Sequence, residues 1–237
     1  MEFRGERECQ ECHTRWSYFE TGSVTCPECG SIRSVGVDER RRHTDRADSL
    51  DLAEARRIAG ERTLREAAAT AEEAARDYVS AKGFIHAGEL EPLDETYLAA
   101  QELRHVSARV GRSLSLSDEE QRYFISLLEG ASDGERPDPG DVPASMKGAR
   151  GLATASALRA YRDDLRTWLE DTEVVGEATS LVETLGDHVR RVRALDGEID
   201  PADAERLVTA GRSLGAYLRT GEASELERAR TALDAVG

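Results

Sequence analysis

All four cysteines of the chain lie near its start, in two C-x-x-C pairs: Cys9, Cys12, Cys26 and Cys29. Two residues between cysteines make a tight turn that points both sulfurs at one ion, and two facing turns complete a tetrahedron. The spacing C-x2-C-x13-C-x2-C therefore predicts a structural zinc site. Because all four ligands are cysteines, no coordination position stays open for catalysis. The alternatives are iron in the same all-sulfur site and redox chemistry of a C-x-x-C pair.

The second turn fits a metal-binding knuckle better than the first. It reads CPECG, in which Pro27 fixes a backbone angle and Gly30 can adopt a positive φ. The first reads CQECH, so His13 stands where a glycine would be easiest, and we expect it to be a solvent-facing neighbour of the site. The residues between and after the knuckles favour short β-strands. Residues 1–37 are thus predicted to form a β zinc ribbon, which needs the metal for its folding energy.

The two cysteine pairs, with CPECG as the second, resemble zinc ribbons of the rubredoxin-knuckle type. That group includes the N-terminal ribbon of transcription initiation factor B. Over its full length the chain is also similar to a group of haloarchaeal proteins, in which a ribbon opening RGERECxECxTRWSY precedes a long helical region. The first resemblance covers only the ribbon and implies a metal site. The second implies a two-part architecture and brings no known activity.

A short segment, 38–49, follows the ribbon and carries a basic run. One interpretation is a solvated basic linker, because neighbouring acidic residues offset most of its charge; the other is a nucleic-acid contact. Within the ribbon, Trp16 and Tyr18 could stack on bases or cover the minimal core, and strand alternation places them on one face. The arginines of the segment are Arg40, Arg41, Arg42 and Arg46.

The composition is that of an acidic globular protein, with a formal net charge of -15 and lysine only at Lys82 and Lys147. Concentrated salt screens the self-repulsion of such a charge, so acid excess with little lysine predicts a halophilic protein. A GC-rich genome that favours arginine codons is the alternative. The chain shows no apolar segment typical of a secretory signal or of a membrane span, so we expect it to be cytoplasmic.

The acidic charge lies almost entirely outside the ribbon. Residues 1–46 hold nine acidic and eight basic residues, whereas the remaining 38 acidic and 24 basic residues follow them. In that later part apolar residues recur with a helical period, which predicts an acidic helical bundle over 50–237. The loop SDGERPDPGDVP divides the bundle into halves of about 50–131 and 144–237.

The two halves contain similar segments. AGELEPLDETYLAA (87–100) aligns without gaps with DGEIDPADAERLVT (196–209). Each segment would follow one helix and open the next, forming a helical hairpin. An internal duplication explains the similarity, and so does chance, because many helix–loop–helix junctions need glycine, acid and proline in this order.

Capping residues mark two helix starts within the bundle. Ser117 with Glu120 forms a capping box, in which each side chain accepts the backbone N–H of the other residue. Asp200 followed by Pro201 combines an N-cap with a proline at the first helical position. Both patterns predict that a helix begins at the following residue.

The bundle offers little that predicts catalysis. No sequence pattern typical of nucleotide binding, zinc proteases or serine hydrolases occurs. Glu102-x-x-His105 is the one pair typical of a di-iron bundle, but that chemistry needs a second copy. The aligned positions in the other half are Gly211 and Leu214, which cannot bind a metal. An enzyme is therefore the least favoured class.

The sequence thus predicts a mainly α protein with a small N-terminal β zinc ribbon followed by a multi-helix bundle. The favoured function is a non-enzymatic zinc-ribbon interaction or adaptor protein, with structural Zn²⁺ and a protein partner. The alternative is a nucleic-acid-binding or transcription-associated factor that uses the ribbon and the segment Arg40–Arg46. The sequence indicates no membrane contact and no small-molecule substrate.

Overall fold

The computed structural model of the protein describes residues 2–46, 49–170, 172 and 176–237. It confirms the predicted fold class, a small N-terminal β part followed by a helical bundle. The described strands are β1 Glu2–Arg4, β2 Glu6–Cys9, β3 Arg15–Ser17, β4 Ser34–Gly36, β5 Arg40–Arg42, β6 Ile85–His86 and β7 Glu89–Leu90. The described helices are α1 Tyr18–Thr21, α2 Ala53–Glu61, α3 Leu64–Ala81, α4 Glu95–Arg112, α5 Asp118–Gly130, α6 Lys147–Leu169, α7 Glu177–Ala194, α8 Pro201–Thr220 and α9 Ala223–Asp234. Within these residues, no helix combines the length and the apolar character that crossing a membrane requires.

Strand β2 is the centre of the ribbon sheet. β3 and β4 pair with it on either side, both antiparallel, so Cys9 at the end of β2 lies opposite Ser34 on β4. The predicted alternation of Trp16 and Tyr18 on one face does not hold, because β3 ends at Ser17 and Tyr18 begins the single-turn helix α1.

The segment 38–49, predicted to be a basic linker, contains a strand and contacts the bundle. Its strand β5 pairs with β1, and the residues after β5 bind the bundle. The backbone N–H of Thr44 donates to the carbonyl of Ile85 at 2.8 Å, and the Thr44 hydroxyl donates to Asp164 on α6 at 2.8 Å. Residues 47 and 48 of the segment lie outside the described part of the chain. The ribbon is therefore joined to the bundle by ordered contacts.

Both predicted helix starts are confirmed. Ser117 accepts the N–H of Glu120 at 3.3 Å, and the Glu120 carboxylate accepts the N–H of Ser117 at 2.8 Å, ahead of α5. Asp200 accepts the N–H of Ala202 at 2.8 Å, and Pro201 is the first residue of α8. Both boundaries therefore coincide with the local capping residues.

Helix α6 contacts α4, α7 and α8, while α3 lies along α4 and α9 along α8. Ala67, Ala71 and Ala75 on α3 are fully buried, which lets α3 approach its neighbour closely. The buried apolar side chains of the helices form one continuous cluster. The ribbon has a separate cluster, which consists of Cys9, Trp16 and Cys26.

Two sets of three helices have similar lengths when they are compared in chain order: α3, α4 and α5, then α7, α8 and α9. α3 and α7 have 18 residues each, α4 and α8 have 18 and 20, and α5 and α9 have 13 and 12. The connection between the first two helices of each set contains a pair with positive φ: Ala87 (51°) and Gly88 (92°), and Asp196 (50°) and Gly197 (79°). The aligned segments therefore share a turn geometry, as an internal duplication would produce.

Candidate metal centre

The four cysteine sulfurs converge on one point. Every pair of Sγ atoms lies within 4.8 Å, with 3.6 Å between Cys9 and Cys29 and 3.5 Å between Cys12 and Cys26. Four sulfurs placed about 2.3 Å from one ion at the corners of a tetrahedron are about 3.8 Å apart. The cluster thus has the dimensions of a tetrahedral all-sulfur site, and the four cysteines can bind a metal ion.

The two knuckles share one pattern of backbone hydrogen bonds. The carbonyl of Cys9 accepts the N–H of His13 at 3.1 Å, and the carbonyl of Cys26 accepts the N–H of Gly30 at 3.0 Å. In both knuckles the first cysteine also donates its own N–H, at 2.9 Å, to the carbonyl five residues further on. His13 and Gly30 accordingly have positive φ values of 61° and 70°. His13 does occupy the position that favours glycine.

The sulfurs differ in how readily they ionise. Hydrogen bonds with the side chain and backbone of Thr14 favour the thiolate and lower the pKa of Cys12 to about 6. The backbone hydrogen bond of Ser31 also lowers the pKa of Cys29, but hydrogen bonds with the neighbouring thiols and burial outweigh it and raise that pKa to about 12. Four thiolates this close repel one another, so a cation is needed to hold all of them ionised.

His13 lies outside the sulfur cluster. Its side chain is 78% exposed, and its Nδ1 lies 3.6 Å from the carboxylate of Glu8, which also binds Arg15 at 2.7 Å. Over the described ranges, the cysteines form the one group of three or more metal-binding side chains close enough to share an ion. The expectation that His13 is a solvent-facing neighbour of the site is confirmed.

Trp16 covers the sulfur cluster. It is 7% exposed, packs with the two buried cysteines, and donates its indole N–H to the carbonyl of Ser23 at 3.0 Å. A ring buried in this way is not accessible for stacking on a base, so its position matches the alternative interpretation, a cover for the ribbon core. Tyr18 stacks on Phe3 with 5.3 Å between the ring centroids.

The arginines of the segment 38–49 have different surroundings. Arg42 forms an ion pair with Glu170, just after α6, at 3.4 Å, and so belongs to the joint with the bundle. Arg40 lies directly opposite Arg4 across the β1–β5 pair. Like charges directly opposite each other destabilise a sheet. The Arg4 guanidinium also donates to the carbonyl of Gly36 at 3.4 Å. The arginines with exposed side chains are Arg40, Arg41 and Arg46.

The Glu102–His105 pair of the bundle does not form half of a metal site. Glu102 is 1% exposed, and its carboxylate binds Arg136 at 3.3 Å and Arg150 at 3.2 Å. The Nε2 of His105 instead lies 3.1 Å from the hydroxyl of Ser156. The two side chains are therefore bound to different partners.

Glu205, which is partly exposed, closes a charge network around the buried Glu102. Arg136 binds both of its carboxylate oxygens at 3.1 Å, and Arg150 binds one at 2.8 Å. Although burial raises the pKa of Glu205, the two arginines outweigh burial and hold it below the usual range. The network thus ties α4, α6 and α8 together through charges that neutralise one another.

A histidine pair at the joint between ribbon and bundle has no counterpart in the sequence prediction. The rings of His43 and His86 lie 4.9 Å apart, and the Nδ1 of His43 accepts the N–H of Ala87 at 3.3 Å. No spacing rule connects the two histidines, because they meet only when the segment after β5 lies against the β6–β7 hairpin.

Fold and site together define a small ribbon, whose four cysteines can bind a metal ion, joined to a helical bundle. The chain belongs to a family of unknown function, DUF7117, whose model matches residues 1–233. Comparisons with curated proteins and with solved structures find no match.

Proposed function

We propose that this protein is a non-enzymatic zinc-ribbon adaptor, which binds a partner protein through its ribbon. The observation that carries the proposal is the closed set of four cysteines, whose sulfurs all lie within 4.8 Å of one another. Four thiolates fill every position of a tetrahedral ion, so the ion holds the ribbon together and has no position for a substrate. Zinc is the ion that structural sites made of four cysteines typically hold.

The buried ionisable groups of the bundle support a structural role. Glu102, Arg136, Arg150 and Glu205 bind one another, so their charges are balanced inside the protein. Burial, with the nearby charge of Arg104 and other arginines, lowers the pKa of His105 to about 4, which keeps it neutral near pH 7. These groups support helix packing and leave the ribbon as the favoured contact surface.

The ribbon carries apolar side chains that a protein partner would cover. Val24, Ile32, Val35 and Val37 are 45%, 77%, 42% and 45% exposed. Among the described residues they are four of the six large apolar side chains with such exposure. Exposed apolar side chains concentrated on so small a module support a contact with apolar side chains of another protein.

The proposal is tested by purifying the tagged full-length protein from its native host, with and without nuclease, and identifying co-purified proteins by mass spectrometry. We expect a nuclease-resistant partner that Ile32→Glu loses and Leu114→Glu retains. Leu114 is the matched control, because it is 98% exposed but lies in the bundle, between α4 and α5. Both variants must bind as much zinc as the wild type. Equal recovery of the partner by the two variants would contradict a contact through the ribbon.

A nucleic-acid-binding function is the second candidate, and the Arg4–Arg40 pair is the observation that favours it. The two guanidinium-bearing residues face each other across β1 and β5, and Arg41 beside them is exposed. A phosphate bound between Arg4 and Arg40 would relieve their mutual repulsion. The alternative thus uses the strand pair as its contact surface, with Arg42 excluded by its ion pair to Glu170.

This alternative predicts salt-dependent binding of single- or double-stranded oligonucleotides, measured by fluorescence anisotropy. Replacing Arg4 and Arg40 by glutamine should weaken binding and reduce the slope of log K against log salt by about one to two units. Arg159→Gln on α6 is the control, because Arg159 is exposed and far from the ribbon in sequence. An unchanged salt slope in the double variant would count against this function.

We further propose that the protein works in a salt-rich cytoplasm. The support is its net charge of -15 with only two lysines, because this charge repels itself unless salt screens it. Thermal unfolding between about 0.1 M and 3 M KCl tests the idea, since the Debye length falls from about 10 Å to below 3 Å over this range. A midpoint that does not rise with salt would favour the codon-usage explanation.

A further inference from the structure

We propose that His43 and His86 form a pH-sensitive joint, which holds the ribbon on the bundle near neutral pH and releases it in mild acid. His43 follows β5 and is only 5% exposed. Its ring meets the edge of the His86 ring at 4.9 Å and lies 4.8 Å from Phe19 of α1. One imidazole thus contacts the ribbon and the β6–β7 hairpin of the bundle together.

The hydrogen bond between His43 and the hairpin requires a neutral imidazole. The Nδ1 of His43 accepts the backbone N–H of Ala87 at 3.3 Å, so its single proton is on Nε2. A protonated imidazole carries N–H groups on both nitrogens and would turn a donor toward the Ala87 donor. Ala87 has a φ of 51° within a tight turn, which fixes the direction of its N–H.

This hydrogen bond lies between two backbone contacts that hold the joint. On one side the N–H of Gly88 donates to the carbonyl of Arg42 at 2.8 Å, and on the other the N–H of Thr44 donates to the carbonyl of Ile85 at 2.8 Å. Repulsion between a protonated His43 and the N–H of Ala87 therefore acts at the centre of the contacts that join the segment after β5 to the hairpin.

The charged groups that line one cleft with His43 come from three elements. Helix α1 contributes Glu20, the hairpin contributes His86, and the segment after β5 contributes Asp45 and Arg46, all of which line one cleft with His43. Within the hairpin, Glu89 lies directly across from His86. Lys82, at the end of α3, forms an ion pair with Asp45 at 2.7 Å. Positive and negative charges are thus nearly balanced, and burial decides which form of His43 is favoured.

Burial, helped by the charge of His86, lowers the pKa of His43 although Asp45 opposes the shift. A histidine in water has a pKa of about 6.5. The docked state therefore holds this proton less tightly than the released state, and acid favours release. Docking is fully favoured above the pKa of the released histidine, and the docking constant falls by up to about tenfold for each pH unit below about 6.5.

The test is hydrogen exchange measured by mass spectrometry on the zinc-loaded full-length protein between pH 7.5 and 5.5, with rates corrected for intrinsic exchange. We expect protection of peptides covering 40–46 and 81–90 to fall in acid, while protection of α8 remains. His43→Asn should keep protection at both pH values, because an asparagine carbonyl can accept the Ala87 N–H without titrating. Zinc content is measured in each sample. Equal acid loss in the wild type and His43→Asn, or no loss in either, overturns the proposal.

A second measurement needs no variant. Nitrogen chemical shifts of the His43 ring report its protonation and tautomer directly by NMR. We expect a neutral ring with its proton on Nε2 while the joint is protected, and proton uptake in the same pH range in which protection is lost. A protonated His43 within a fully protected joint overturns the proposal, even if His43→Asn fails to dock.

Discussion

His13 and Gly30 have the same backbone conformation at the same point of the two knuckles, with φ values of 61° and 70°. The conformation lets the N–H of each residue reach back to the carbonyl of the first cysteine of its knuckle. Glycine adopts it freely, whereas a residue with a side chain is strained there by about 1 kcal/mol. The first knuckle therefore holds its two cysteines in place against a backbone preference that the second knuckle lacks.

Replacing this histidine should strengthen metal binding. We expect His13→Gly to bind zinc about fivefold more tightly, because about 1 kcal/mol of backbone strain disappears from the metal-bound form. Gly30→Ala should weaken binding by a similar factor, since an added Cβ meets no atom and changes only the backbone preference. Competition with a chromophoric chelator measures both.

Gly221→Ala is the control for these two variants. Gly221 ends α8 with a φ of 73° and also has open space around it, so alanine introduces the same strain in the bundle. It should lower the stability of the bundle and leave the zinc affinity unchanged. If His13→Gly binds zinc no more tightly than the wild type, His13 does not strain the first knuckle.

These positions also show what local sequence can predict. The ligands and the knuckle turns follow from cysteine spacing and from glycine chemistry, which act over five residues. Local sequence does not predict that Trp16 is buried or that β5 pairs with β1, because both depend on contacts across the ribbon. Arg40–Arg42 has no apolar alternation, and it is a strand because β1 supplies its partner.

Loss of one ligand should unfold the ribbon selectively. In Cys26→Ser we expect loss of bound zinc and loss of amide protection over 6–36, because the ribbon's separate buried cluster contains two of the ligands. The helices have their own apolar cluster, so far-ultraviolet circular dichroism should change little. Because all four cysteines lie in the proposed zinc site, chelation of the wild type is the parallel experiment. A global loss of helical signal would show that the two parts do not fold independently.

The buried charge network should be sensitive to the loss of one partner. Glu102→Gln removes a negative charge that is paired with Arg136 and Arg150. Because the Glu102 side chain is only 1% exposed, water cannot replace that charge. We expect the free energy of unfolding in urea to fall by about 3 kcal/mol. Asp163→Asn is the control, because Asp163 forms an exposed ion pair with Arg159 and should change stability by less than about 1 kcal/mol. Equal effects of the two substitutions would contradict strong coupling between Glu102 and the two arginines.

This network also marks the limit of sequence prediction in the bundle. Arg150 and Glu102 lie in regular helical patterns, and nothing local distinguishes them from exposed charges. Their burial depends on α4, α6 and α8 meeting at one point. Helix starts at Ser117 and Asp200 could be predicted because capping is local, but the residues that helices bury together could not.

His105 should make the bundle less stable in acid. Burial, then Arg104, Arg112 and Arg193, lower its pKa to about 4, whereas an unfolded histidine has a pKa of about 6.5. Its contribution to stability is therefore complete above about pH 6.5 and is lost as the pH falls toward 4, by up to about 1.4 kcal/mol per pH unit. His105→Gln should flatten this part of the pH dependence of unfolding in urea. An unchanged slope in His105→Gln would contradict the assignment.

The central claim is that four cysteines hold one structural zinc ion, which makes the ribbon a folded contact module on the bundle. Native mass spectrometry of full-length protein purified without added metal tests it most directly, with Cys26→Ser measured beside the wild type. We predict one zinc ion per wild-type chain and none in the variant. A wild-type chain that carries no metal, or whose cysteines are paired as disulfides, would contradict the claim.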